Sequence, residues 1–139
     1  MPYNISTNDF RPNTEGKHLI VDFYKCAGIE FNMNELSLLK LYGVLRKAIR
    51  LTGLNIIDFL DFNYGGKKYS IIFLLAESHF AVHIQLEECF VSFDIYICGD
   101  IDLTKTLDAL KEYFKPKYSM QELITRGSGL TTRFKSEIL

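Results

Sequence analysis

A chain of 139 residues is long enough for one domain with a real hydrophobic core and too short for two of ordinary size. Its composition, 47% hydrophobic and 24% charged, is that of an ordinary globular protein. A formal net charge of −1 gives no reason to expect nucleic acid or a membrane surface as partner. Three cysteines, Cys26, Cys89 and Cys98, are odd in number and lack a CxxC spacing, which argues against a disulfide framework and a thiolate zinc site. A reduced, cytoplasmic setting is the simplest expectation. The first ten residues lack the basic-then-apolar layout of a signal peptide, and no apolar run approaches the roughly 20 residues that span a bilayer.

In chain order, residues 1–15 are polar, with Pro2 and Pro12, and read as a loose arm. Residues 17–24 (KHLIVDFY) are rich in β-branched and aromatic side chains and predict a first strand. A helix is expected over about 33–52, where Leu38, Leu41, Leu45 and Ala48 or Ile49 recur at helical spacing. Asn32 can cap it, with Glu35 completing a capping box, and Gly53 is a plausible stop. Residues 54–63 predict a second strand, Gly65-Gly66-Lys67-Lys68 a turn, and 69–76 a buried third strand. Over 80–86 the apolar residues Phe80, Val82, Ile84 and Leu86 alternate with Ala81, His83 and Gln85, so a half-buried fourth strand carries His83 on its second face. Glu87-Glu88 turns the chain into a fifth strand, 90–98. A second helix over 103–114 ends before Pro116, and a last strand, 118–125, leads into a tail over 128–139. The order β-α-β-β-β-β-α-β predicts an α+β two-layer sandwich, a mainly antiparallel sheet with helices on one face. The other face then needs cover, which a second protomer could supply.

The reactive side chains gather in one stretch. Glu77-Ser78-His79 falls at the break between two strand patterns, where a tight turn can strain a peptide bond. A hydroxyl beside a strained carbonyl is a potential nucleophile if a base is near. His83, five residues on, comes back beside Ser78 only if the intervening chain bends. Cys98 lies 20 residues on, at the end of the next strand, and a hairpin turning at Glu87-Glu88 returns it close to Ser78. Each residue has an ordinary alternative: a surface serine, a structural imidazole, a small buried thiol. A serine hydrolase is disfavoured, because no oxyanion-hole glycine motif flanks Ser78.

Taken together, these motifs resemble those of the small prokaryotic S-adenosylmethionine decarboxylases. The resemblance rests on Gly16-Lys17-His18-Leu19, Tyr24-Lys25-Cys26, Glu77-Ser78-His79 with His83, Cys98-Gly99, Lys115-Pro116-Lys117 and Arg126-Gly127, in order and with near-unbroken spacing over residues 16–127. It implies a proenzyme that cuts itself between Glu77 and Ser78. Ser78 would become a pyruvoyl group, which forms a Schiff base with a substrate amine and serves as electron sink, with no metal or pyridoxal phosphate needed. The resemblance further implies His83 as processing base, Ser70 as a residue assisting processing and Cys98 as the proton donor to the substrate carbon. It makes Glu87 a ligand of the substrate ribose and Tyr64 or Phe62 the ring that stacks on adenine. It implies an αββα homodimer.

Three stretches depart from the family pattern: Ile84-Gln85-Leu86 after the second histidine, Cys89-Phe90-Val91 beyond it, and the loop Gly65-Gly66-Lys67-Lys68-Tyr69 before the third strand. All lie in or near the expected nucleoside pocket and leave Glu77, Ser78, His83 and Cys98 intact. The expected activity is decarboxylation of S-adenosylmethionine to the aminopropyl donor for spermidine synthesis. The alternatives are a pyruvoyl enzyme of the same fold acting on ornithine or arginine, and a non-catalytic regulatory homologue.

Overall fold

The computed structural model describes residues 15–29, 35–127 and the backbone of 132–138. Seven strands form one antiparallel sheet: β1 (Gly16–Tyr24), β2 (Ile56–Asn63), β3 (Lys68–Leu75), β4 (Ser78–Gln85), β5 (Phe90–Cys98), β6 (Tyr118–Arg126) and β7 (Thr132–Ile138). Their spatial order is β2-β3-β4-β5-β1-β6-β7. Helix α1 (Glu35–Arg50) carries the chain from β1 to the far edge at β2. Strands β2 to β5 return as a meander, and α2 (Thr104–Phe114) carries the chain past β1 to β6.

Every expected element between residues 16 and 126 forms, with ends shifted by a few residues. The cap expected at Asn32 and the arm over 1–15, apart from Glu15, lie outside the described residues. Gly53 does end α1: it takes φ 78°, and its N–H donates to the Arg50 carbonyl at 3.0 Å. One expectation needs correction. The stretch expected as a tail carries β7, which pairs with β6 from Ser119↔Ile138 to Thr125↔Thr132. The alternation over 132–138 (TRFKSEI) is too polar to stand out as a strand by pattern alone.

The two sheet faces differ sharply. One, the inner face, packs against α1 and α2 through Val21 and Phe23 of β1, Phe73 of β3, Phe80, Val82 and Ile84 of β4, and Phe93, Ile95 and Ile97 of β5, all at most 2% exposed. Leu41, Leu45 and Ile49 of α1 and Leu110 and Phe114 of α2 meet them, each fully buried. A line of rings crosses this layer, Phe59–Phe73–Phe80–Phe93–Phe23–Phe114, with neighbouring centroids 5.2–6.3 Å apart. With no tryptophan in the chain, these phenylalanines supply the large-volume packing, each stabilising by about 1.5–3 kcal/mol. The helices are stitched together by Thr106, whose buried hydroxyl donates to the Ala48 carbonyl at 2.6 Å.

Among the described residues, no helix lies over the outer face. It exposes Leu60 and Phe62 of β2 and Ile72 and Leu74 of β3, at 47–77% of their surface, together with Ile20 and Met120 nearer the sheet centre.

Candidate active site

Strands β3 and β4 are joined by a two-residue turn, Ala76-Glu77, closed by the pair Leu75↔Ser78. Ser78 there takes φ 152°, a region that L residues rarely occupy and that costs roughly 1–3 kcal/mol. The carbonyl of Glu77, on the peptide bond to Ser78, accepts the backbone N–H of Cys98 at 2.9 Å. The register Ser78↔Ile97 sets Cys98 one residue beyond Ser78's partner, as the hairpin reading requires. A nucleophilic hydroxyl, a strained linkage and a fixed donor on the adjacent carbonyl thus occupy one turn, the arrangement that favours attack on that carbonyl.

The turn is held from β2's side as well. Asn55 donates its backbone N–H to Glu77 Oε1 at 2.8 Å and its amide to Oε2 at 3.0 Å, and its carbonyl accepts the Ala76 N–H at 2.9 Å. These bonds, the Asn55 N–H foremost, hold the Glu77 carboxyl below its usual value against the opposing effect of burial.

Beside Ser78 on the outer face, three strands contribute one cluster. Asp94 Oδ2 accepts both His79 Nε2–H, at 2.9 Å, and His18 Nε2–H, at 2.8 Å. Burial alone would raise the Asp94 carboxyl, but the two imidazoles outweigh it and hold the group below its ordinary value. The Tyr96 ring packs against both imidazoles, with centroids 5.4 and 6.0 Å away, and the Arg126 guanidinium lies over it at 4.5 Å. Gly16 leaves room for this ring, since a Cβ there would meet Tyr96 Oη at 2.6 Å and the tyrosine would have to shift. The ligating atoms of His18, His79 and Asp94 lie within 4.8 Å of one another, close enough to share a cation, yet already satisfied by their mutual hydrogen bonds.

The remaining expected site residues stand at the other end of β4. The strand runs unbroken from Ser78 to Gln85, so the bend that would bring His83 back to Ser78 does not occur. Five residues separate them, roughly 16 Å at a strand's rise. His83 instead bonds Ser70 across the β3–β4 ladder, Nδ1 to Oγ, at 2.7 Å. Phe62 pairs with Ser70 on β2, and its ring meets that of Tyr64 edge-on at 4.8 Å. Glu87, in the turn after β4, bonds Lys67 Nζ at 3.0 Å. The expected residues therefore sort into two sets on the sheet: Glu77, Ser78 and Cys98 at one end of β4, and Phe62, Tyr64, Ser70, His83 and Glu87 at the other.

A shallow depression of about 220 Å³ on the outer face, bordered by His18, Asp22, His83, Ser92 and Asp94, lies between the two sets. A larger cavity, of about 640 Å³, opens on the helix side between Lys17, Leu19, Leu107 and Leu123, and neither Ser78 nor Cys98 lines it. The reactive groups, rather than cavity size, locate the chemistry.

Sequence patterning offers no role for Asn55, Asp94 or Tyr96. Their partners lie 22, 15 and 76 residues away in the cases of Asn55–Glu77, His79–Asp94 and His18–Asp94. Asp94 is legible only as a polar position on the open face of β5, and His18 and His79 only as letters of motifs.

Comparison with known proteins identifies the family. The family model described as S-adenosylmethionine decarboxylase matches residues 17–127. A protein from Brevibacillus brevis named S-adenosylmethionine decarboxylase proenzyme is 27% identical over 119 residues, covering 84% of this chain and 86% of its own. One of the same name from Aeropyrum pernix is 30% identical over 102 residues, covering 73% and 75%. Among solved structures, the adenosylmethionine decarboxylase from Aquifex aeolicus shares the fold with a TM-score of 0.71 at 22% identity, over 84% of this chain and 93% of its own. With the fold shared and four fifths of the sequence matched by the family model, the chain belongs to the S-adenosylmethionine decarboxylase family.

Proposed function

We propose that the chain is a proenzyme that cuts itself between Glu77 and Ser78, and that the mature form decarboxylates S-adenosylmethionine to the aminopropyl donor of spermidine synthesis. The observation that carries this reading is the Glu77–Ser78 turn, with φ 152° at the serine and the Cys98 N–H fixed on the Glu77 carbonyl. In the first step Ser78 Oγ bonds the Glu77 carbonyl carbon, the C–N bond breaks, and the hydroxyl proton passes to the released amine, leaving an ester. The Cys98 N–H stabilises the charge that develops on the carbonyl oxygen. Removal of the Ser78 α-proton then expels Glu77 as a carboxylate. The dehydroalanine left at position 78 tautomerises, adds water and loses ammonia to become a pyruvoyl group.

The residues around position 78 fit such a group: it is small, it terminates a strand, and Cys98 borders it. Once formed, its carbonyl supplies an electron sink for the departing carboxylate of an amine-bearing substrate. Cys98, exposed at the end of β5, has the position and the thiol proton to protonate the substrate carbon.

The set at the other end of β4 belongs to the same reading through a homodimer. His83 and Ser70 cannot reach the Ser78 of their own strand, but they face the uncovered side of the sheet. A second copy laid antiparallel on that face would bring its Ser70, His83 and Glu87 to Ser78, and Phe62 or Tyr64 to the nucleoside. The apolar surface of Leu60, Phe62, Ile72 and Leu74 supports a sheet-to-sheet dimer.

The test begins with intact mass. Freshly made protein should pass from one chain of 16.1 kDa to two fragments, residues 1–77 and 78–139, while Ser78→Ala stays whole. The mature protein should release carbon dioxide from S-adenosylmethionine and not from ornithine or arginine. A parent chain that stays uncut would sink the enzyme reading, and turnover of only ornithine or arginine would replace its substrate.

A further inference from the structure

The peptide bond between Glu77 and Ser78 is flanked by two independent anchors, and neither involves the residues expected to carry the chemistry. On the Glu77 side, Asn55 spends its backbone N–H, its side-chain amide and its carbonyl on Ala76 and Glu77 alone. Glu77's own carbonyl is held from the opposite side by Cys98 N–H at 2.9 Å. On the other side of Ser78, the His79 side chain is tied to Asp94 of β5, and through Asp94 to His18 of β1, so that the tie spans three adjacent strands. Between these anchors Ser78 sits at φ 152°. A two-residue turn with nothing holding its neighbours would relax such a residue toward ordinary strand geometry.

We propose that Asn55 and the Asp94–His18 pair are positioning residues for the self-cleavage, fixing Glu77 and His79 so that the linkage between them is kept in its strained form until Ser78 Oγ adds to the carbonyl. This rests on the proposed self-processing and adds to it the residues that hold the strain. The affected step is the exchange of the amide for the ester, in which the O–C bond forms, the C–N bond breaks and the proton moves from hydroxyl to amine. Elimination of the ester depends on a base and is not what these anchors govern. After the cut the same anchors hold the two new chain ends, Glu77 to β2 and residue 78 through His79 to β5. The local fraying expected of free strand ends is thereby suppressed where the active group must stay in register.

The experiment follows the full chain from cell-free synthesis by intact mass, with thermal melting of each protein in parallel. Asn55→Ala, which removes the amide bond to Glu77 Oε2 and leaves the two backbone bonds of Asn55, should lengthen the half-time of cleavage by about fivefold, and Asp94→Ala, which releases both imidazoles, by about tenfold or more. The double variant should multiply the two effects, because the anchors lie on opposite sides of the bond. Leu123→Ala, chosen on the helix side and away from the turn, provides a protein of lowered melting temperature that should cleave within about twofold of the parent. Hydroxylamine, which cleaves esters, should leave the slowed rates unchanged because the ester itself forms slowly. Should an alanine variant fail to fold, Asn55→Ser and Asp94→Asn, at exposed and half-exposed positions, are read in the same way. Cleavage of the variants at the parent rate, equal slowing by Leu123→Ala, or rescue by hydroxylamine would each overturn the proposal. A parent chain that never cleaves defeats the proposed function instead, so the two failures are distinct.

Discussion

At the scale of single residues, the environment decides which of several chemically similar groups can act. The three cysteines show this. Cys26 is buried at 1% exposure, and burial, reinforced by nearby Cys89, pushes its thiol up to about 12, so it behaves as an apolar side chain. Cys98 is exposed at the end of β5, with its backbone N–H on the Glu77 carbonyl. Asp94 offers a test in pH. Its carboxyl lies below the ordinary 3.8 in the folded chain, so the stabilisation it contributes is complete above about pH 5 and is lost as pH falls through the lowered value. Asp94→Asn should therefore melt lower than the parent near neutrality, by about 1 kcal/mol once partial exposure is allowed for. The gap should narrow once the pH falls below the ordinary 3.8 and close as Asp94 is protonated in the folded chain. Thermal melts of both proteins across that range check it; a gap that widens in acid would contradict the hydrogen-bonded carboxylate.

At the scale of elements, the connections matter as much as the strands. Lys115 closes α2 in a left-handed conformation, its N–H on the Lys111 carbonyl, and the loop after β1 docks against that helix end. There Gly28 donates to the Phe114 carbonyl at 2.9 Å, and a Cβ on Gly28 would lie 1.9 Å from the Tyr113 carbonyl oxygen. The obstacle is backbone, so it cannot rotate aside. Gly28→Ala should cost about 3 kcal/mol, the upper range for overpacking, and lower the melting temperature by several degrees. Gly16→Ala meets only the Tyr96 ring, the movable end of a side chain, and should cost less. Calorimetry of the pair decides whether this loop–helix contact is as tight as the geometry states.

At the scale of the whole molecule, the sheet has one face filled by helices and one left open, and the open face carries both an apolar patch and the His83–Ser70 pair. A homodimer stacked on that face makes a direct prediction. Ile72→Lys, on the outer side of β3 and far from Ser78, should shift the protein from dimer to monomer by sedimentation velocity. Cleavage and turnover should fall with it if the partner's His83 and Ser70 are needed. A dimer unaffected by Ile72→Lys would move the interface elsewhere.

How much of this was legible in the chain follows from the range of the interactions involved. Period-two alternation over 80–86, the helical spacing of Leu41, Leu45 and Ile49, and Gly53 are local signals. They determined the elements, the buried face and the hairpin that sets Cys98 beside Ser78. The motifs around Glu77-Ser78-His79 marked the turn proposed for self-cleavage because they are made of adjacent residues. Only the tertiary structure decided that His83 lies at the far end of a straight strand from Ser78, that His79 and His18 share the carboxylate of Asp94, and that Asn55 holds Glu77. These contacts join residues brought together by strand register, and a register across a seven-stranded sheet is chosen by the packing of the whole core, not by any stretch of sequence that contains the pair.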